Sequence, residues 1–162
     1  MAVLKLYLDE FDDVDYDLIA IHCSLEDYRL AYFINQKLPI LLSKNKDEIE
    51  VSVKDGEAFF TKYSYEDKNT ESTWCLIQNK NDIHLPQKNT KQNLFLNSSV
   101  EISRKVFLIS ELKKVDYLLK IENNSSDFNV EEIVDQLKQI ERISAVYSLI
   151  PENIKSKNNL IF

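Results

Sequence analysis

Ile109-Ser110-Glu111-Leu112-Lys113-Lys114-Val115-Asp116-Tyr117-Leu118-Leu119-Lys120-Ile121 is the stretch from which the rest of the chain is best read. Its first half is polar and reads as a turn; from Val115 to Ile121 it becomes apolar enough for a buried strand. A helix then follows with its own start signal. Phe128 and Ile133 occupy the positions of a hydrophobic staple, and Asn129 and Glu132 those of a capping box. Val130, Ile133, Val134, Leu137 and Ile140 recur at helical spacing, which predicts a helix over about 130–141. Ile143 to Ile150 returns as a strand, stopped by Pro151. Strand, capped helix, strand is the clearest folding unit in the sequence.

The same layout is expected nearer the N-terminus. Leu18-Ile19-Ala20-Ile21 is a continuous apolar run, the pattern of a strand covered on both faces. Ser24-Leu25-Glu26-Asp27 has the form of an N-cap, with Cys23 and Tyr28 in staple positions, and predicts a helix over about 25–38 ending before Pro39. Apolar residues cover most of that helix's circumference, leaving a polar stripe through Glu26, Arg29 and Gln36. Such a helix is central to a core or part of an interface. Ile40 to Leu42 is expected to resume as a strand. Upstream, Val3 to Leu8 reads as a first strand.

Between the two units, Ile49 to Val53 alternates strictly, and Asp55-Gly56 between strand-like runs is a hairpin signal that uses the only glycine in the chain. With Phe59 to Tyr65 and Thr73 to Ile77, this third reads as an antiparallel meander. Residues 79–93 are polar and aperiodic, which predicts a long mobile loop. Leu94-Phe95-Leu96 is an apolar island after it, and Val106 to Ile109 another strand. The expectation is one domain over 1–150 and a loose polar tail over 151–162. Its class is α+β: two layers, a mostly antiparallel sheet with two helices on one face and a central hairpin meander. The C-terminal unit has the layout of half a ferredoxin-like module.

Composition narrows function by exclusion. A single glycine rules out Walker A and G-x-G-x-x-G phosphate loops. The net charge of −7, from 27 acidic and 20 basic residues, disfavours nucleic acid as a partner. No run reaches membrane-span length and no signal peptide is visible. Cys23 and Cys75 form no C-x-x-C, as expected of reduced thiols in a cytoplasm.

The polar half of the opening stretch, I-S-E-L-K-K-V-D-Y over Ile109 to Tyr117, resembles the signature of the IPExxxVDY family of short bacterial proteins. Ser110 stands where the family has proline. A second I-P-E, at Ile150 to Glu152, has no V-D-Y at the right distance. The resemblance extends to Leu25-Glu26-Asp27-Tyr28-Arg29-Leu30-Ala31-Tyr32, and it carries no assigned activity. Glu111, Asp116, Tyr117, Tyr28, Arg29 and Tyr32 are accordingly the candidate signature or interaction residues.

Each chemical alternative meets a simpler one. Glu111 is expected to pair with Lys113 or Lys114 or to accept backbone donors in the turn, Asp116 to cap a strand end, and Tyr117 to bury its ring with its hydroxyl paired. Asp13, Asp15 and Asp17 match the first ligand positions of an EF-hand loop, but Leu18 replaces the glycine and Ser24 the final glutamate. His22 and Cys23 are adjacent on a strand and so point to opposite faces, which argues against a base–thiol pair. Four residues, His22, His84, Cys23 and Cys75, would have to converge for zinc. Tyr63, Tyr65 and Trp74 beside the Lys-rich loop give a route to RNA by stacking, but they fall where a core is needed. No catalytic, cofactor or metal residue is assigned. The expected function is a non-enzymatic interaction or adaptor module with an unknown protein partner or a second copy. A small-molecule-binding regulatory domain is the alternative, and an RNA-associated factor comes third.

Overall fold

The computed structural model describes residues 15–54, 56–85, 102–123 and 129–162. The strand expected over 3–8, most of the acidic run that follows it (9–17), Asp55, the Leu94 island and the Phe128 half of the staple lie outside these residues.

Among the described residues, six strands form the main sheet. In chain order they are β1 (Tyr16–Cys23), β2 (Ser43–Lys44), β5 (Lys62–Asp67), β6 (Ser72–Gln78), β9 (Tyr117–Glu122) and β10 (Ile143–Leu149). Their order across the sheet is β10-β1-β9-β6-β5-β2, with every neighbour antiparallel. β9 and β10 both pair antiparallel to β1, so they run parallel to each other with β1 inserted between them. Joined by α2 (Val130–Lys138), they make a split β–α–β unit. The α+β class and antiparallel sheet stand as expected.

Both faces of this sheet are covered, which explains the unbroken apolar runs of β1 and β9. Ile19, Ile21, Trp74, Leu76, Leu119 and Ile121 face α1 (Asp27–Lys37) and α2. Leu18, Ala20, Cys75, Ile77 and Leu118 face the other way, under two small hairpins and the C-terminal turns. One hairpin is β3 (Ile49–Val53) with β4 (Gly56–Phe60); the second is β7 (Lys80–Leu85) with β8 (Ile102–Phe107).

Several expectations are corrected. Ile40 to Leu42 is not a strand; the two-residue β2 follows it, at the far edge from β1. Gly56 is not a central turn residue: it pairs with Val53 at the start of β4, at φ 150°, where side-chain-bearing residues are strained. The meander is split between two sheets, because the chain crosses from β4 to β5 through Thr61 alone. The first part of the loop expected over 79–93 is a strand, Lys80–Leu85, paired along its length with β8; residues 86–93 lie outside the described residues. Periodicity missed it because its exposed positions carry Asp82 and His84 beside apolar Ile83.

The C-terminal residues are not a loose tail. Two 3-10 turns, Pro151–Asn153 and Lys157–Leu160, bury Pro151, Ile154 and Leu160. Their apolar residues are too few and too irregularly spaced to show a period in sequence. The helices are also shorter than expected. α1 starts after Glu26, with no side-chain cap from Ser24. Asn129 caps α2 through the backbone N–H of Glu131, 3.0 Å away.

Candidate interaction surface

The opening stretch is tied into the framework. Asn79, fully buried, is the single residue between β6 and β7. Its Nδ2 donates to the carbonyls of Leu112 (2.9 Å) and Val115 (2.8 Å), and its Oδ1 accepts from the N–H of Ile109 (2.9 Å). Its backbone N–H donates to Asp116 and its carbonyl accepts from Leu108. A turn without regular ladder bonds is thereby satisfied by one amide side chain.

Asp116 closes the end of β1. Its Oδ2 accepts from the N–H of Cys23 at 2.9 Å and its Oδ1 from Lys80 Nζ at 2.9 Å. That contact falls where β1 shifts register between His22 and Cys23. Tyr117 buries its ring and donates its hydroxyl to the Leu25 carbonyl at 2.7 Å, fixing the approach to α1. Burial pushes this hydroxyl's pKa well up, with nearby Cys23 and Asp27 adding to the effect. Glu111 accepts from the N–H of Lys155 (2.8 Å) and of Ser156 (3.1 Å) and from the Ser156 hydroxyl, so it holds the C-terminal turns rather than pairing with Lys113 or Lys114.

The pairs weighed for chemistry are apart or buried. His22 Nε2 lies 2.8 Å from the Tyr147 hydroxyl on the surface, while the Cys23 side chain joins the core on the opposite face. Burial pushes the Cys23 thiol up to about 11, leaving little thiolate at neutral pH. Trp74 and Tyr63 are buried and Tyr65 packs against the same core, so they offer no platform for bases. No cluster of metal-ligating side chains occurs among the described residues.

What remains open is the outer face of α1. Leu30, Ala31 and Ile34 are buried under it. Tyr28 and Tyr32, one turn apart and hence on one side of the helix, are 56% and 59% exposed. Tyr32 meets Phe33 edge to face at 5.6 Å, and its hydroxyl accepts from Gln36 Nε2 at 2.8 Å. A hydrogen bond with Glu26, and its charge, raise the Tyr28 hydroxyl pKa, partly opposed by Arg29. The helix is pinned at both ends. The Tyr63 hydroxyl donates to Asp27 at 3.3 Å, and Asn35 exchanges two bonds with the backbone of Leu42.

Two clefts flank these tyrosines. One, of about 500 Å³, is lined by Leu25, Tyr28, Arg29, Tyr32, Phe33 and Arg142. The second, of about 540 Å³, lies between the C-terminal ends of α1 and α2, with Lys37 and Gln139 on its walls. Phe33 and Arg142 line both, so the two clefts adjoin across these side chains, and together they are called the groove.

Comparison with family models, curated proteins and solved structures returns no match for this chain.

Of the residues singled out from sequence, Tyr28, Arg29 and Tyr32 come together on this face. Glu111, Asp116 and Tyr117 do not; they lie in the framework beneath and behind it. Arg142 and Lys37 were missed. The one available signal was that Arg142 is one of only three arginines in the chain. Its place beside Arg29 depends on how α2 and β10 pack against α1.

Proposed function

We propose that this chain is a non-enzymatic protein-interaction module, a member of the IPExxxVDY group, that engages its partner through the outer face of α1. The carrying observation is the exposed Tyr28–Tyr32 pair beside Arg29 and Arg142 on a helix held at both ends. Tyr and Arg are the residue types that concentrate binding energy at interfaces, and a rigid helix presents them without an ordering cost. The framework roles of Glu111, Asp116 and Tyr117, and the raised pKa of the Cys23 thiol, support a scaffold reading over catalysis. Two free thiols fit a reducing cytoplasm. Among the described residues no helix is long and apolar enough to cross a membrane.

The test compares wild-type bait with Tyr28→Ser/Tyr32→Ser in affinity capture, alongside light scattering for self-association. Both tyrosines are exposed, so melting should move little. A partner, or a second copy, retained by wild type and lost by the variant is the expected result. Identical capture by both would reject the surface. The volumes of the clefts also suit a small regulatory ligand. That second reading predicts a thermal shift with a metabolite, abolished by Phe33→Ala.

A further inference from the structure

The cations on the groove's walls run against the sign of the chain's net charge. Against a net charge of −7, Arg29, Lys37 and Arg142 line it; Glu141 is the one acid among the lining residues, and Glu26 reaches the Tyr28 hydroxyl at its edge. Neither arginine makes an ion pair among the described residues; Arg29 hydrogen-bonds the Tyr28 hydroxyl, and Lys37 donates to Gln139 at 3.5 Å. Cations that stabilised the fold would be paired or would cover apolar surface. These stand beside exposed aromatic rings instead.

We infer that the groove takes an acidic segment of a protein partner, with carboxylates on Arg29 and Arg142 and an apolar side chain against Tyr28, Tyr32 and Phe33. The inference rests on the interaction reading above and specifies its partner. Guanidinium groups suit carboxylates because two parallel N–H donors match two oxygens. The apolar wall between the arginines asks for an anchor side chain, which a bare polyanion does not supply. Charge also makes the groove selective. The chain's net charge repels an acidic segment on average, while these cations attract it, which favours docking here. A nucleic acid strand, carrying a charge on every phosphate, meets only three cations and is repelled beyond them.

The test is selection of 12-residue peptides from a random phage library by the full chain and by Arg29→Glu/Arg142→Glu, both checked by circular dichroism. Wild type should enrich Asp and Glu around one apolar residue, and the reversed variant should enrich Lys and Arg. The best acidic peptide, labelled and titrated by anisotropy, should lose at least ~10-fold affinity to Arg142→Glu and weaken as salt is raised. A single-stranded oligonucleotide should not displace it. Selections without acidic bias, selections unchanged by charge reversal, displacement by the oligonucleotide, or no selected peptide would each overturn the inference. The two readings fail separately. Peptides lost on Tyr28→Ser/Tyr32→Ser but lacking acidic bias leave the surface standing and remove its acidic partner; peptides indifferent to both variants remove both.

Discussion

Asn79 is a small residue with a large share of the local structure. Its side chain satisfies one N–H and two carbonyls that lie in turns, where no ladder partner exists. Asn79→Ala should therefore cost about 3 kcal/mol, since unsatisfied buried groups cost about 1–3 kcal/mol each and the site can relax in part. Urea unfolding of the two proteins measures it; a loss below about 1 kcal/mol would show that water replaces the amide. Sequence gave no hint of this role. Asn79 stands at the edge of an asparagine- and lysine-rich run, and its neighbours make it look like loop. Arg142 is the complementary case, a polar residue whose surroundings are assembled from three separate elements.

At the scale of elements, the turn over Ile109 to Leu112 is closed by the N–H of Leu112 donating to the Ile109 carbonyl at 3.1 Å. Ser110 is its second residue, the position at which proline is favoured because φ is already near −65°. No bond to the Ser110 N–H occurs among the described residues. Ser110→Pro should therefore stabilise by about 0.5 kcal/mol, chiefly by restricting the unfolded chain. A thermal melt reads this directly, and a lower melting temperature would mean a turn of another geometry. Two single-residue joints, Thr61 and Asn79, carry the chain between the small hairpins and the main sheet. They are neighbours in space: the Gln78 side chain accepts from Thr61 while the Gln78 N–H donates to the Thr61 carbonyl at 3.1 Å. Strand breaks of one residue leave almost no trace in a hydropathy pattern. The two separate strands Gly56–Phe60 and Lys62–Asp67 therefore read as nearly continuous.

Across the whole molecule, the C-terminal turns act as the last piece of the second core. Lys120 is only 4% exposed; its Nζ donates to the Leu160 carbonyl at 2.7 Å, pairs with Glu122 at 2.6 Å and sits over the rings of Tyr16 and Phe162. Asn159 donates to the Leu108 carbonyl, and Glu111 holds Lys155 and Ser156. Leu160 itself is fully buried among residues of β1, β9 and the hairpins. Leu160→Ala should cost about 3 kcal/mol, as for other buried leucines. The unfolding transition should stay single and cooperative, because the turns belong to the core. A separate early transition, or no loss at all, would make them an appendage.

By itself the sequence determined what local pattern and composition can carry. The apolar runs of β1 and β9 follow from burial on both faces, the stripe and cap of α2 from helical spacing, and the α+β class from their alternation. The resemblance drawn from the sequence, rather than local pattern, singled out Tyr28, Arg29 and Tyr32 on one helix. Only the tertiary structure decided that β1 inserts between β9 and β10, that the C-terminal turns complete a second core, and that Arg142 joins Arg29 at an open groove. Each depends on contacts between residues far apart in the chain, and periodicity records only a residue's relation to its near neighbours.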